Sequence, residues 1–152
     1  MYEYSCKIIK VVDGDTVDVD IDLGFGVWLK KQRIRLYGVD TPESRTRDLT
    51  EKKFGLIAKE FVLSKLPLDS MQTLRTKKDG KGKYGRILGE FVCEHLMDGG
   101  EMNESFIQET TVNDALISEH LAVKYMGQSK NEIEEEHIKN RERVGKEFLP
   151  KS

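Results

Sequence analysis

Residues 16–23 alternate strictly: Val17, Val19, Ile21 and Leu23 point one way, Asp18, Asp20 and Asp22 the other. A period of two predicts a strand with one buried face. Upstream, Cys6-Lys7-Ile8-Ile9-Lys10-Val11-Val12 is rich in β-branched residues and runs into Asp13-Gly14, a turn signal. The two segments therefore predict a hairpin. Gly24-Phe25-Gly26 predicts the next turn, and Val27 to Val39 a third strand that breaks near Thr41-Pro42. Met71 to Thr76 and Tyr84 to Val92 predict two further strands, joined by a glycine-rich turn over 77–83.

Between the third and fourth strands the period changes. Phe54, Ile57, Ala58, Phe61, Val62 and Leu66 recur at helical spacing, predicting a helix over about 51–65 that Pro67 ends. Thr50 is the expected cap, with Lys53 at the third helical position, so no full capping box forms. Residues 42–49 read as a basic, mobile loop, and 94–104 as an irregular acidic insert. Val112 to Leu121 predicts a second helix with Leu116, Ile117 and Leu121 on its apolar side. Asn131 to about Phe148 predicts a third, with a thin stripe of Ile133, His137, Ile138 and Val144. Five short strands with a helix after the third predict an α+β fold, a five-stranded Greek-key barrel of the OB type with about three helices. The expected domain spans 1–152: barrel and first helix over about 5–93, acidic insert over about 94–111, C-terminal helices over about 112–148.

Composition narrows the class. The chain has 152 residues, 38% hydrophobic and 34% charged, which suits one core with charged outer faces. No apolar run approaches the roughly 18 residues of a membrane span. Met1-Tyr2-Glu3-Tyr4-Ser5 has neither a basic nor an apolar leader region, so a cytoplasmic location is expected. Cys6 and Cys93 are the only cysteines and are expected as small buried thiols. His95, His120 and His137 do not group with them at zinc spacing.

The net charge of −2 hides an asymmetry. From Lys30 to Lys53 eight basic residues face four acids, and from Arg75 to Arg86 six face only Asp79. From Ile87 to Val123 there are eight acids and no Lys or Arg. Basic charge concentrated in two segments is the footprint of a polyanion site, although charge runs are as often plain solvated faces.

Those basic segments flank three motifs: Asp13-Gly14-Asp15-Thr16, Ile34-Arg35-Leu36-Tyr37-Gly38-Val39-Asp40-Thr41-Pro42-Glu43, and Lys83-Tyr84-Gly85-Arg86. Asp15 after the first hairpin turn and Asp40 at the end of the third strand can be neighbours in a small barrel and share one cation. Hard oxygen ligands call for Ca²⁺ or Mg²⁺ rather than zinc. Taken singly, Asp-Gly-Asp is a common turn and Asp-Thr-Pro a common strand end. Arg35 lies five residues before Asp40, on the opposite strand face, unless Gly38 supplies a bulge or bend.

Together and in this order, the three motifs resemble the staphylococcal nuclease (thermonuclease) family. Glu51-Lys52-Lys53-Phe54-Gly55 resembles the start of that family's first helix, and Val112-Asn113 to Leu121-Ala122 its second. The resemblance covers roughly 5–145. It implies that Asp15 and Asp40 bind Ca²⁺ through carboxylates and Thr41 through its backbone carbonyl. Glu43 activates or orients the attacking water, and Arg35 and Arg86 bind the phosphate. Lys83 and Tyr84 contact a neighbouring phosphate, and Tyr125 lies beside the nucleotide. The implied activity is Ca²⁺-dependent cleavage of DNA and RNA on the 5′ side of the phosphate, leaving 3′-phosphates. Single strands are the preferred partner, and the chain acts as a monomer at no membrane.

The chain departs from the family pattern in three places. The stretch between Arg86 and Asn113 is longer and acidic. His120 stands where a helix-ending glycine often sits. The absence of an export leader points to an intracellular or phage-type role. Asp18-Val19-Asp20-Ile21-Asp22 imitates an EF-hand opening, but Leu23 and Leu29 occupy the positions of its glycine and bidentate glutamate. Phe25 and Trp28 are expected in turn and core roles, and Met97, Met102 and Met126 as core or gap-filling residues. A noncatalytic nucleic-acid-binding module on the same barrel remains the alternative, and a protein-interaction domain built on the acidic insert a third.

Overall fold

The computed structural model describes residues 2–77, 85–97 and 106–148, with side chains to Val144 except that of Met97. Lys83, Tyr84, Met102 and most of the glycine-rich turn lie outside the described residues. The elements are β1 (Tyr2–Asp13), β2 (Thr16–Asp22), β3 (Trp28–Leu36), β4 (Val39–Asp40), α1 (Leu49–Lys65), β5 (Met71–Thr76), β6 (Ile87–Met97), β7 (Phe106–Thr111), α2 (Val112–Ser118), β8 (Val123–Lys124) and α3 (Lys130–Phe148).

Strands run in the order β3-β2-β1-β5-β6-β7, and β3 also pairs with β6 in parallel, Ile34 opposite Ile87 and Leu36 opposite Gly89. That pairing closes β1, β2, β3, β5 and β6 into the OB-type barrel, which leaves those strands without a free edge. Its interior holds the alternating residues Val17, Val19 and Ile21, together with Cys6, Ile8, Ile34, Leu36, Leu74 and Phe91. Burial pushes the Cys6 thiol up to about 12, so it carries no thiolate at neutral pH and offers no nucleophile. Cys93 is half-buried, and both thiols are free.

The β2 aspartates all have structural partners. Asp18 takes a bidentate pair from Arg33 at 2.9 and 3.1 Å. Asp20 is buried, not solvent-facing: a bulge between Val19 and Ile21 turns it toward the Lys31 N–H at 2.9 Å and Lys30 Nζ at 3.3 Å. Asp22 Oδ1 accepts from the Gly24 N–H at 2.8 Å and starts the turn. Phe25 is fully exposed at the tip of that turn and Trp28 lies under Lys30 Nζ, so neither belongs to the core.

Helix α1 begins two residues earlier than expected. Asp48, not Thr50, is its cap: the Asp48 carboxylate accepts from the Thr50 and Glu51 N–H groups at 3.0 and 3.2 Å. Glu51 then stands in the first turn, where its charge suits the helix dipole. Residues 94–97, expected to be irregular, are strand instead: β6 runs on past the barrel to Met97 and pairs with β7, Val92 opposite Thr111 through Met97 opposite Phe106, while 98–104 of the expected insert lie outside the described residues.

Helix α2 ends at Ser118, and His120 takes the glycine's place with φ +60°. Leu121 N–H donates to Leu116 O at 2.9 Å and His120 N–H to Ile117 O at 3.0 Å, a Schellman ending. A left-handed conformation costs a non-glycine residue about 1 kcal/mol. His120→Gly is therefore expected to raise stability by about 1 kcal/mol, read as a rise in Tm of about 2–4 °C. Helix α3 buries His137, Asn140 and Val144; Ile138, expected on the stripe, is exposed. Among the described residues, no helix is long and apolar enough to cross a membrane.

Candidate active site

The site forms where the β1–β2 turn, the end of β3 and the β4 loop meet. Ile34 and Leu36 point into the barrel, so Arg35 between them points out. Gly38 has φ +75°, a left-handed bend that folds Val39-Asp40 back over β3 and removes the parity problem. Arg35 Nη1 donates to Val39 O at 2.9 Å and Leu36 O at 3.1 Å, bracing the bend. Its Nη2 lies 3.4 Å from Asp15 Oδ2 and 3.5 Å from Asp40 Oδ1. Two acids 25 residues apart in sequence thus converge on one guanidinium nitrogen.

Each acid is held on its other side. Asp15 Oδ1 accepts from Thr16 Oγ1 at 3.0 Å, and its Oδ2 also accepts from the Thr41 N–H at 3.2 Å. Strand β4 pairs with β8, Asp40 opposite Val123, and the Tyr125 N–H donates to Gly38 O at 2.8 Å. That pairing brings Tyr125 to the cleft wall. Arg86 directly precedes β6, whose parallel pairing with β3 sets it on the same cleft. The cleft holds about 930 Å³, and Arg35, Asp40, Glu43, Arg86 and Tyr125 all line it. Met126 is an exposed lip of this cleft, not a core residue.

Glu43 stands on a loop that is pinned around it. Thr41, Pro42 and Ser44 are buried, and Ser44 Oγ donates to the Asp13 carboxylate. Glycines set how closely α1 approaches. A Cβ on Gly55 would lie 2.5 Å from the Glu43 carbonyl carbon and 2.7 Å from the Ser44 nitrogen, both backbone. Gly55→Ala gains up to about 1 kcal/mol of helix propensity. The overlap forces a shift costing about 1–3 kcal/mol and wins. The expected result is a lower Tm together with lost turnover, because the segment displaced is the one that carries Glu43. Thermal melting and rate measurement on one preparation check both.

Loss of hydration raises the Glu43 pKa, and negative charge on Asp13, Asp15, Glu51 and Asp40 raises it further. A crowd of like charges of this kind fits a cation. Asp15 and Asp40 supply hard oxygens aimed at one point, and the Thr41 carbonyl belongs to the same turn. Among the described residues, no group of three or more His, Cys, Asp and Glu forms a ligand cluster. A cation held here would have to complete its shell with backbone oxygen, water or substrate, a shell that hard, flexibly coordinated cations accept.

Sequence reasoning missed two residues here. His137 Nε2 lies 2.7 Å from Asp40 Oδ2. Arg141, one helical turn further on α3, lines the cleft with its guanidinium 5.9 Å from the Phe54 ring centroid. Both sit on a helix whose sequence shows only that His137 falls on the inner stripe.

Residues 33–147 match the family described as staphylococcal nuclease homologue. The chain is 36% identical over 108 residues to a thermonuclease of Staphylococcus hyicus, covering 70% of this chain and 57% of that protein. It is 34% identical over 84 residues to a thermonuclease of Staphylococcus intermedius, covering 55% and 46%. It is 29% identical over 97 residues to the endonuclease YhcR of Bacillus subtilis (strain 168), covering 60% of this chain and 8% of that one. The matches to the two thermonucleases thus span about half of each relative. With the barrel, the Gly38 bend and the convergent acids, these matches show that the chain belongs to the staphylococcal nuclease homologue family.

Proposed function

We propose that this chain is a Ca²⁺-dependent nuclease that hydrolyses DNA and RNA on the 5′ side of the phosphate, leaving 3′-phosphate ends. The observation that carries the reading is the convergence of Asp15 and Asp40 on Arg35 Nη2, beside a cleft that Glu43 and Arg86 also line. The named activities of the thermonuclease and endonuclease relatives support it.

Asp15, Asp40 and the Thr41 carbonyl would hold Ca²⁺, which when bound polarises a phosphoryl oxygen. Glu43 then takes a proton from water, or orients it, as the water oxygen bonds to phosphorus. The bond from phosphorus to the 5′ oxygen breaks, that oxygen leaves and takes a proton from solvent water to become the 5′ hydroxyl, and the phosphate stays on the 3′ oxygen. Arg35 and Arg86 stabilise the extra negative charge on the five-coordinate phosphorus. Arginine suits this task because it stays charged and binds phosphate bidentately. Lys83 and Tyr84, close before Arg86 in the sequence, would hold the next phosphate, and Tyr125 the nucleotide. A strand must be single or frayed to lay its bases along the cleft wall, which supports the single-strand preference.

The test is digestion of single-stranded DNA, duplex DNA and RNA with and without Ca²⁺, with end-group mapping. Loss of cleavage in chelator and 3′-phosphate products are expected. 5′-Phosphate products would refute the cleavage chemistry, and full activity in Mg²⁺ with a calcium chelator would refute the metal. Binding without cleavage in Ca²⁺ would favour the noncatalytic module.

A further inference from the structure

Helix α3 docks beside the cleft. Its inner face offers little apolar surface: Ile133 is half-buried and Val144 buried, with His137 and Asn140 between them. Polar contacts take part of the docking. Asn140 Nδ2 donates to Ala122 O at 3.2 Å, and His137 meets Asp40 97 residues away in sequence.

The His137–Asp40 contact is short, at 2.7 Å, and the His137 side chain is nearly buried, with 10% of its surface exposed. An ionised carboxylate only accepts, so the ring carries its proton on Nε2 and donates it to Asp40 Oδ2. Asp40 therefore has one oxygen held by α3 while the other, Oδ1, faces Arg35 Nη2 and the Asp15 side. Few other restraints act on this carboxylate. It stands on a two-residue strand just after the Gly38 bend, and its side chain is 30% exposed.

We propose that His137 is a positioning residue for Asp40: by holding Oδ2 it turns Oδ1 toward the cation site, and so couples the docking of α3 to cation binding. The inference rests on the reading of Asp40 as a Ca²⁺ ligand. Partners that orient ligating carboxylates typically carry a 10–100-fold effect on metal affinity. The coupling is reciprocal: what α3 gives to the cation, the cation gives back to α3.

Two substitutions separate positioning from packing. His137→Leu keeps an apolar side chain on the inner stripe and removes the donor. His137→Gln keeps a donor nitrogen at a similar reach. Ca²⁺ binding to the full chain is measured by titration calorimetry, melting is followed without Ca²⁺, and amide exchange of α3 is followed with and without it. Asp40→Asn is the control for the site. His137→Leu is expected to melt close to the unsubstituted protein and to bind Ca²⁺ about 10–100-fold more weakly. His137→Gln is expected to recover most of the affinity. Ca²⁺ is expected to slow α3 exchange in the unsubstituted protein and the Gln variant, and not in the Leu variant. Unchanged affinity in His137→Leu would overturn the proposal, as would equal losses in Leu and Gln that track their melting temperatures. If the unsubstituted protein shows no Ca²⁺ binding that Asp40→Asn abolishes, the metal reading itself fails and the inference falls with it.

Discussion

Arg35→Ala is expected to lower phosphodiester cleavage by about 10²–10³-fold, the usual cost of removing one group that stabilises transition-state charge. The geometry adds a second, separable effect. Arg35 is the positive charge between Asp15 and Asp40, at 3.4 and 3.5 Å, and its side chain is only 16% exposed. It also ties Leu36 O and Val39 O, so the bend at Gly38 loses its brace. Removing it leaves two nearby carboxylates without their counter-charge, which costs about 1–3 kcal/mol. A cation between the acids replaces part of that charge. The variant is therefore expected to melt lower in chelator and to regain part of the difference on adding Ca²⁺, while staying inactive. Arg35→Lys is expected to stay near the alanine level. One ammonium cannot reach two carbonyls and two carboxylates at once, whereas the planar guanidinium does. Cleavage near the unsubstituted rate in Arg35→Ala would remove Arg35 from the mechanism.

The parts of the fold legible in the sequence are those with one buried and one wet face. Strand β2 alternates because the barrel wall has an inside and an outside, and α1 shows its stripe because it packs on that wall. The arm of β6 and β7 was not legible. Leu96, Phe106 and Ile107 on it are exposed while the polar His95 and Thr111 are buried, so hydrophobicity does not mark its inner face and it reads as irregular. Burial of Asp20 was hidden for a different reason. A bulge breaks the period of two locally, and nothing in Asp-Val-Asp-Ile-Asp marks which aspartate the bulge will capture. Thr50 and Asp48 are both sound caps by residue type, and only the backbone geometry selects Asp48.

The site divides the same way. Asp15, Arg35, Asp40 and Glu43 sit in two short motifs, so local chain geometry nearly determines their meeting. The parity conflict between Arg35 and Asp40 pointed to Gly38, whose φ of +75° resolves it. His137 and Arg141 depend on where a polar helix docks, about a hundred residues from the motif, and no local pattern carries that. The pinning of the Glu43 loop was equally hidden. Ser44 bonding to Asp13 and Gly55 lying against the Glu43 backbone are contacts between three segments, each of which looks ordinary alone.

Glu43→Gln is expected to lower cleavage by about 10²–10⁴-fold, the range for loss of a general base, and at the same time to make the protein more stable at neutral pH. The stability claim follows from the direction of the pKa shift. Loss of hydration and the charges of Asp13, Asp15, Glu51 and Asp40 raise the Glu43 pKa in the folded chain. A raised carboxylate pKa means that the folded state holds the proton more tightly than the unfolded state. The contribution from this group is thus fully present below the unfolded pKa and is lost as pH rises through the folded one. The ionised form of Glu43 opposes folding, a cost the uncharged amide does not carry and one kept small because the residue is exposed and screened by solvent. The Tm of Glu43→Gln should therefore exceed that of the unsubstituted protein at pH 7, with the difference shrinking as pH falls through the carboxylate range. Added Ca²⁺ should shrink it too, because a cation beside Asp15 and Asp40 offsets the like charges that raise the Glu43 pKa. Such an exchange of stability for activity is expected of a residue placed for chemistry rather than for folding. A Glu43→Gln variant that melts lower at pH 7, in the absence of Ca²⁺, would show that Glu43 braces its loop, and one that cleaves normally would leave the water without its proposed partner.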